Sequence, residues 1–300
     1  MSGPGQARPR AALGARLCTR LQYALPQHGL SRIVHGLARA RSVPLKNWLI
    51  RSFVRGYRPD LSDAVGLDPL GYATFNEFFT RALRPGARPI AAEQGAIVAP
   101  ADGTVSATGR IEGDRLLQAK GMDYSLDGLL AGRSAWCAKF RDGNFVTIYL
   151  APHNYHRVHL PMAGVLRESW YVPGRLFSVN RATVDAVPGL FARNERLVLL
   201  FEQDPLAFAV ILVGALNVGS MSTVWHGEVT PRRPRRVTQL PLVDSRSPLA
   251  LEAGGEIGRF NMGSTVIVLL PPRTASWESD LVPGRKVRMG ELIGRRARAP

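Results

Sequence analysis

Side chains able to transfer protons or attack a carbonyl stand in this chain in a suggestive order: Asp102 in "PADG", three histidines in "APHNYHRVHLP", and Ser264 in "MGST". The whole sequence holds six histidines, yet His153, His156 and His159 fall within seven residues. A serine hydroxyl is a weak nucleophile at neutral pH; it needs a histidine to take its proton and a carboxylate to steady the imidazolium. The order therefore reads as Asp102 orienting His159 and His159 activating Ser264. The G-x-S-x-G elbow of hydrolases is absent, however, and Ser264 precedes a strand-like run rather than a helix, so the target is not an ordinary acyl substrate. Clustered histidines also suggest a metal. In an extended segment residues three apart point to opposite faces, so only His153 and His159 would share one. No carboxylate motif completes a ligand set, and no metal is expected. Each piece has a plain structural reading as well: Asp-Gly is by default a turn, and Gly-Ser-Thr before an apolar run is a turn entering a sheet.

The elements that must position these residues can be read from periodicity. In "GLSRIVHGLARARS", Leu30, Ile33, Val34 and Leu37 recur at helical spacing, with Ser31 available as a cap. Pro44 opens a second helix, "PLKNWLIRSFVRGY", with Leu45, Trp48, Leu49 and Phe53 on one face and Lys46, Arg51 and Arg55 on the other. Basic amphipathic helices with an aromatic residue suit a membrane interface, while docking on a core is the alternative. "TFNEFFTRALRPGARPI" carries a capping box from Thr74 to Glu77 and ends in a turn at Pro85-Gly86. Beyond Ile90 short β-branched runs alternate with Gly, Asp and Asn, among them "LAFAVILVGALNVG" and "STVIVLL". "LQAKGMDYSLDGLLAG" adds a Lys-Gly turn and a helix capped by Ser125. The expected fold class is α+β: a predominantly antiparallel β catalytic core, residues 61–300, behind a basic amphipathic helical segment, residues 1–60.

A formal charge of +16 favours an anionic partner, and its placement is informative: Met1 to Pro59 holds eleven Lys or Arg and no acid. Further basic clusters stand at "PRRPRR" and "GRRARAP". Two cysteines, Cys18 and Cys137, build no disulfide framework or thiolate metal site. No stretch is apolar for long enough to span a bilayer. An Arg-rich, acid-poor start also suits a mitochondrial transit segment but lacks the apolar region of a secretory signal. No Rossmann fingerprint, P-loop or internal repeat is present.

Taken together, "FNEFFTRALRPGARPI", "PADGTV", "QAKGMDYSLDGLLAG", "APHNYHRVHLP" and "MGST", in this order and spacing, resemble the proteobacterial-type phosphatidylserine decarboxylases from about Leu21 to about Gly294. The resemblance implies a proenzyme that cuts itself at Gly263–Ser264, leaving a large chain 1–263 and a small chain 264–300. Ser264 would become a covalent pyruvoyl group, the cofactor, which takes the substrate amine as a Schiff base. Asp102, His159 and Ser264 would form the charge relay for cutting, and His156 is the candidate proton donor in decarboxylation. His153 lies outside the matching pattern and is expected at the surface. Met262 stands where the family has Leu, a change of similar volume. The implied partners are phosphatidylserine and an anionic membrane surface, with the two chains remaining a heterodimer. A homodimer of processed protomers is compatible with this. The implied location is peripheral, on the cytoplasmic face of a bacterial cell membrane, ahead of a mitochondrial inner membrane. Two alternatives stay open: a pyruvoyl-dependent decarboxylase of a soluble amino acid, and, from charge alone, a nucleic-acid-binding protein, which would leave the Asp, His and Ser set unexplained.

Overall fold

The computed structural model of the chain describes residues 22–297 apart from residues 24, 120, 205, 217–219, 232–233, 243–248 and 263. Helices α1 (Gln27–Ala38) and α2 (Val43–Tyr57) come first, then the short α3 (Phe75–Phe79). Thr74 caps α3 as the sequence predicts, its Oγ1 accepting from the Glu77 N–H at 3.1 Å, while Glu77 Oε2 accepts from the Ala73 N–H at 3.2 Å. Strands β1 (Ala96–Val98), β2 (Gly103–Arg110), β3 (Arg115–Ala119) and β4 (Met122–Ser125) follow, with α4 (Leu126–Leu130) and α5 (Ser134–Phe140). Ser125 caps α4, accepting from the Gly128 N–H at 3.0 Å. Lys120 of the expected turn lies outside the described residues.

The remainder is mostly strand: β5 (Asn144–Leu150), β6 (Arg157–His159), β7 (Gly164–Val172), then α6 (Arg181–Val184) and α7 (Leu190–Arg193). After them come β8 (Arg196–Gln203), β9 (Leu206–Val213), β10 (Met221–Thr223), β11 (Gly227–Glu228), β12 (Thr238–Gln239) and β13 (Leu249–Leu251). The chain closes with β14 (Glu256–Phe260), β15 (Ser264–Leu270), β16 (Ala275–Trp277), β17 (Lys286–Val287) and β18 (Leu292–Arg296). The class is α+β with an antiparallel β core. The largest sheet has nine strands in the order β12-β7-β8-β9-β15-β5-β2-β17, with β13 also on β7. A four-stranded sheet, β11-β10-β14-β6, and a three-stranded one, β1-β18-β16, flank it.

Strands β9 and β15 lie side by side at the middle of the large sheet, and every residue of both is buried. This is why both read as continuous apolar runs without alternation: each has covered faces on both sides. Ser264 is the first residue of β15 and sits opposite Leu150, the last of β5. The order of connections brings the histidine loop, residues 151–156, to the same end of the sheet.

Several expectations change. Asp102–Gly103 does not join a hairpin, because β1 pairs with β18 while β2 pairs with β5 and β17. Gly103 is required by close approach instead: a Cβ there would lie 2.5 Å from the Tyr149 carbonyl oxygen and 2.7 Å from Ile148 Cγ2. Ser31 is not the cap of α1, which starts at Gln27; it is an interior, buried residue of that helix. The two N-terminal helices bury only part of the apolar faces that the sequence marks out. Helix α1 buries Gln27, Ser31 and Ala38, while Ile33 is 62% and Leu37 44% exposed. Helix α2 buries Lys46, Ile50 and Phe53 and leaves Trp48 63% exposed. Burial of Lys46 is satisfied by two carbonyls, Leu70 at 2.6 Å and Tyr72 at 2.8 Å. Phe53 packs edge-on against Phe75, Phe78 and Phe79, and this second apolar cluster also includes Met262.

Because the Gly103 backbone is pressed against β5, Gly103→Ala should destabilise the fold by about 1–3 kcal/mol through strand displacement. A urea midpoint unchanged from the parent chain would show that the two strands can separate freely.

Candidate active site

Ser264 is wholly buried, and its hydroxyl has no hydrogen-bond partner among the described residues. An unpaired buried hydroxyl costs on the order of 1–3 kcal/mol, and the neighbouring Thr265 hydroxyl is unpaired in the same way. The chain on both sides of it is held. Before it, the Phe260 N–H donates to the His156 carbonyl at 3.0 Å and the Asn261 N–H to the Ser220 carbonyl at 2.9 Å. The Asn261 amide also donates to the Ser220 and Ser222 hydroxyls and accepts from Asn76 at 3.3 Å. Met262 is fastened in the aromatic cluster under α2. Gly263, the residue expected to precede the cut, lies outside the described residues. After it, β15 is paired on both edges.

The histidines do not form one row, since residues 151–156 are a turn and not a strand. His153 is exposed, as expected for a surface residue, and offers its carbonyl to Arg81 Nη2 at 3.4 Å. His156 is fully buried and stacked on Phe79 at 4.2 Å. Its Nε2 lies 3.3 Å from the Pro152 carbonyl, which can only accept, so Nε2 carries the proton. Nδ1 is then a bare lone pair, without a hydrogen-bond partner among the described residues. Burial pulls the His156 pKa down to about 3, leaving the ring neutral.

His159 is also buried. Its Nδ1 must donate to the Gly254 carbonyl at 2.7 Å, which leaves Nε2 to accept from the Tyr155 hydroxyl at 3.0 Å. Burial lowers its pKa, opposed by the Gly254 hydrogen bond and by the charges of Glu256 and Asp102. Its backbone N–H donates to the Pro100 carbonyl at 2.8 Å, tying β6 to the "PADG" segment.

Asp102 is not hydrogen-bonded to His159. Arg88 takes its carboxylate in a fork, Nε to Oδ1 at 3.0 Å and Nη2 to Oδ2 at 2.7 Å, and the Met289 N–H donates to Oδ1 at 2.8 Å. The reason is geometric: a bidentate guanidinium and a backbone donor saturate the carboxylate, and the Arg88 pKa is raised first of all by that contact. Arg88 also holds Asp63 at 2.7 Å. Asp102 thus reaches His159 only through space, as a negative charge. Sequence reasoning missed Arg88, Tyr155, Asn261 and the Gly254 carbonyl. Arg88 and Tyr155 lie within quoted motifs, but nothing in their spacing announces the partners they find.

A buried serine at the head of a central strand, two buried histidines held on backbone carbonyls and a carboxylate held on an arginine are the groups that the fold supplies here for chemistry. Comparison with known proteins identifies the group. The family profile described as phosphatidylserine decarboxylase matches residues 75–295, and a second, described as PSD, matches residues 17–58. A phosphatidylserine decarboxylase proenzyme of Methylococcus capsulatus is 51% identical over 284 residues, covering 95% of this chain and 98% of its own. Proteins of the same name from Ectopseudomonas mendocina and Bordetella petrii are each 50% identical, covering 93% and 91% of this chain and 98% and 94% of their own. The chain belongs to the phosphatidylserine decarboxylase family.

Because the folded His156 pKa lies below its ordinary value of 6.5, the unfolded chain binds more protons between 6.5 and about 3. Stability therefore falls as pH drops through that window. His156→Phe should make the fall in denaturation midpoint shallower, and a slope equal to the parent's would mean that His156 is charged in the folded chain.

Proposed function

We propose that this chain is a self-cleaving proenzyme that converts phosphatidylserine to phosphatidylethanolamine. The observation that carries this is the buried, unpartnered Ser264 hydroxyl at the start of β15, with both flanks of the preceding turn held in place. Family membership supplies the substrate.

In the cutting step Ser264 Oγ attacks the Gly263 carbonyl carbon. His159 is the base: its Nδ1–H is fixed on Gly254, so the lone pair on Nε2 takes the hydroxyl proton once Tyr155 yields that position. The Asp102 charge favours the imidazolium that results, acting through space from its place on Arg88. The peptide C–N bond is exchanged for an ester C–O bond. Loss of the Ser264 α-proton and elimination then free the Gly263 carboxylate, and water replaces the nitrogen, which leaves as ammonia. Residue 264 becomes a pyruvoyl group.

Such a group supplies a carbonyl able to accept the electron pair left behind when carbon dioxide departs. The surrounding residues suit it: the position is dry and rigid, and His156, neutral with Nε2–H on the Pro152 carbonyl and tied by its own carbonyl to the Phe260 N–H of the preceding strand, is the proton-handling residue. The small chain, 264–300, would stay attached without a covalent link, because β15 is an interior strand bonded on both edges.

Access to the lipid falls to α1 and α2. Ile33, Leu37, Val43, Trp48 and Tyr57 are exposed apolar side chains, accompanied by the exposed Arg32, Arg41, Arg51 and Arg55. No helix among the described residues is long and apolar enough to cross a membrane. This surface fits the interface of an anionic leaflet, where each Lys or Arg contributes about 1 kcal/mol. The proposed location is peripheral, on the cytoplasmic face of a bacterial cell membrane.

Intact mass of the purified protein tests the cutting step: two chains are expected, the smaller starting at residue 264 and blocked to Edman chemistry. Ser264→Ala should give one uncut chain and no phosphatidylethanolamine, whereas His156→Ala should be cut and decarboxylate poorly. A parent chain that remains whole would refute the mechanism. For the membrane surface, Ile33→Glu with Trp48→Glu should lower co-sedimentation with phosphatidylserine vesicles several-fold while cutting proceeds. Undiminished sedimentation would rule these helices out as the contact.

A further inference from the structure

Arg81, which follows α3, is only 3% exposed, yet its Nε and Nη1 have no hydrogen-bond partner and Nη2 has only the 3.4 Å contact with the His153 carbonyl. It makes no ion pair among the described residues. A buried guanidinium without an anion is costly, and its burial pulls its pKa down. Beside it opens a cavity of about 610 Å³ whose wall also includes Arg157, Arg259 and Tyr72. Arg157 and Arg259 are register partners across β6 and β14, an arrangement in which like charges repel. Glu256 neutralises Arg157 at 2.9 Å, but Arg259 has no partner among the described residues. Two carboxylates share the wall, and both are engaged locally: Asp68 accepts from the Leu70 N–H at 2.9 Å and Glu77 from the Ala73 N–H at 3.2 Å. Neither Arg81 nor Arg259 is in an ion pair with these carboxylates or with any other among the described residues, so two guanidiniums at one cavity lack a direct counterion. It is linked to the histidine loop by Arg81, whose Nη2 reaches the His153 carbonyl and whose charge acts on the His156 ring.

We propose that this cavity is an oxyanion subsite that holds the phosphodiester of the lipid substrate, with Arg81 and Arg259 as the binding residues. The inference rests on the substrate reading above. The substrate carries two anionic groups, and the chemistry chooses between them. The carboxylate loses its charge as carbon dioxide leaves, so a guanidinium gripping it would stabilise the ground state more than the transition state and slow the reaction. The phosphodiester keeps its charge throughout. Gripping it strengthens substrate and transition state equally, which acts on KM and leaves kcat alone. The planar fork of arginine suits two phosphate oxygens at once.

The test uses the processed enzyme and soluble dihexanoyl phosphatidylserine, with dihexanoyl phosphatidate and inorganic phosphate as inhibitors. Arg259→Gln should raise KM about tenfold, equivalent to about 1.4 kcal/mol, with little change in kcat. Arg81→Gln should do at least as much, with partial recovery in Arg81→Lys, which keeps the charge and loses the fork. Arg110→Gln removes an exposed charge at the end of the sheet opposite Ser264, and should leave KM unchanged. Phosphatidate should compete with substrate in the parent enzyme and lose its grip in Arg259→Gln. Unchanged KM and unchanged phosphatidate inhibition in Arg259→Gln would overturn the subsite, even if Arg81→Gln fails to fold. Inhibition by inorganic phosphate without inhibition by phosphatidate would overturn the lipid assignment in favour of free phosphate. An enzyme that binds phosphatidate through Arg259 but makes no phosphatidylethanolamine would leave the subsite standing and remove the substrate reading instead.

Discussion

The structure turns on the pairing of β15. Seven consecutive residues, Ser264–Leu270, are buried; all of them are paired with β5 on one edge and Thr265–Leu269 with β9 on the other. A strand in that position cannot shift by one residue without turning its side chains to the opposite faces of the sheet. Its first residue therefore has a fixed place, opposite Leu150, whatever chemistry occurs there. The same pairing would hold the strand after its upstream bond is broken, so position at residue 264 and integrity of the sheet have one cause. An unsatisfied hydroxyl is tolerated because it is small against the stability of a fully paired interior strand.

Around that strand the polar groups are set by burial. Two histidines beside the turn are kept neutral by desolvation, and each is locked into one tautomer by a backbone carbonyl. Neutral imidazole is the form that can accept a proton. Asp102 stays with Arg88, so it biases His159 only by its field, as does Glu256 opposite His159, and the guanidinium meanwhile connects the segment carrying Asp63 to the core. Arrangement of charge, and not proximity in sequence, separates the roles of residues that share one short motif.

The front of the molecule shows the same economy of faces. Helix α1 turns polar or small residues inward, α2 buries Ile50 and Phe53 together with a Lys46 held on two carbonyls, and both leave aliphatic or aromatic residues outside. Phe53 nevertheless reaches the cluster that holds Met262, two positions before Ser264. The surface suited to lipid and the turn proposed for cutting are therefore joined by one group of aromatic contacts, which places the site directly beneath the amphipathic helices.

Much of this was legible in the residues alone. Continuous apolar, β-branched runs announced β9 and β15, and Thr74 and Ser125 announced the caps of α3 and α4; the order of Asp102, His159 and Ser264 raised the expectation of nucleophilic chemistry on which the proposal rests. These are local signals, carried by periodicity and by side chains that bond a neighbouring backbone group. What only the tertiary structure decided is non-local. Periodicity shows that a helix has two faces, but packing decides which one meets the core, and here Trp48 and Ile33 face outward. Spacing nominates Asp102 and His159, but the partner of a carboxylate depends on which strands lie beside it, and the separate pairings of β1 and β2 bring it to Arg88 and Met289. The physical reason is the same in each case: a hydrogen bond or a buried face joins residues far apart in the chain, and sheet order alone decides which of them meet.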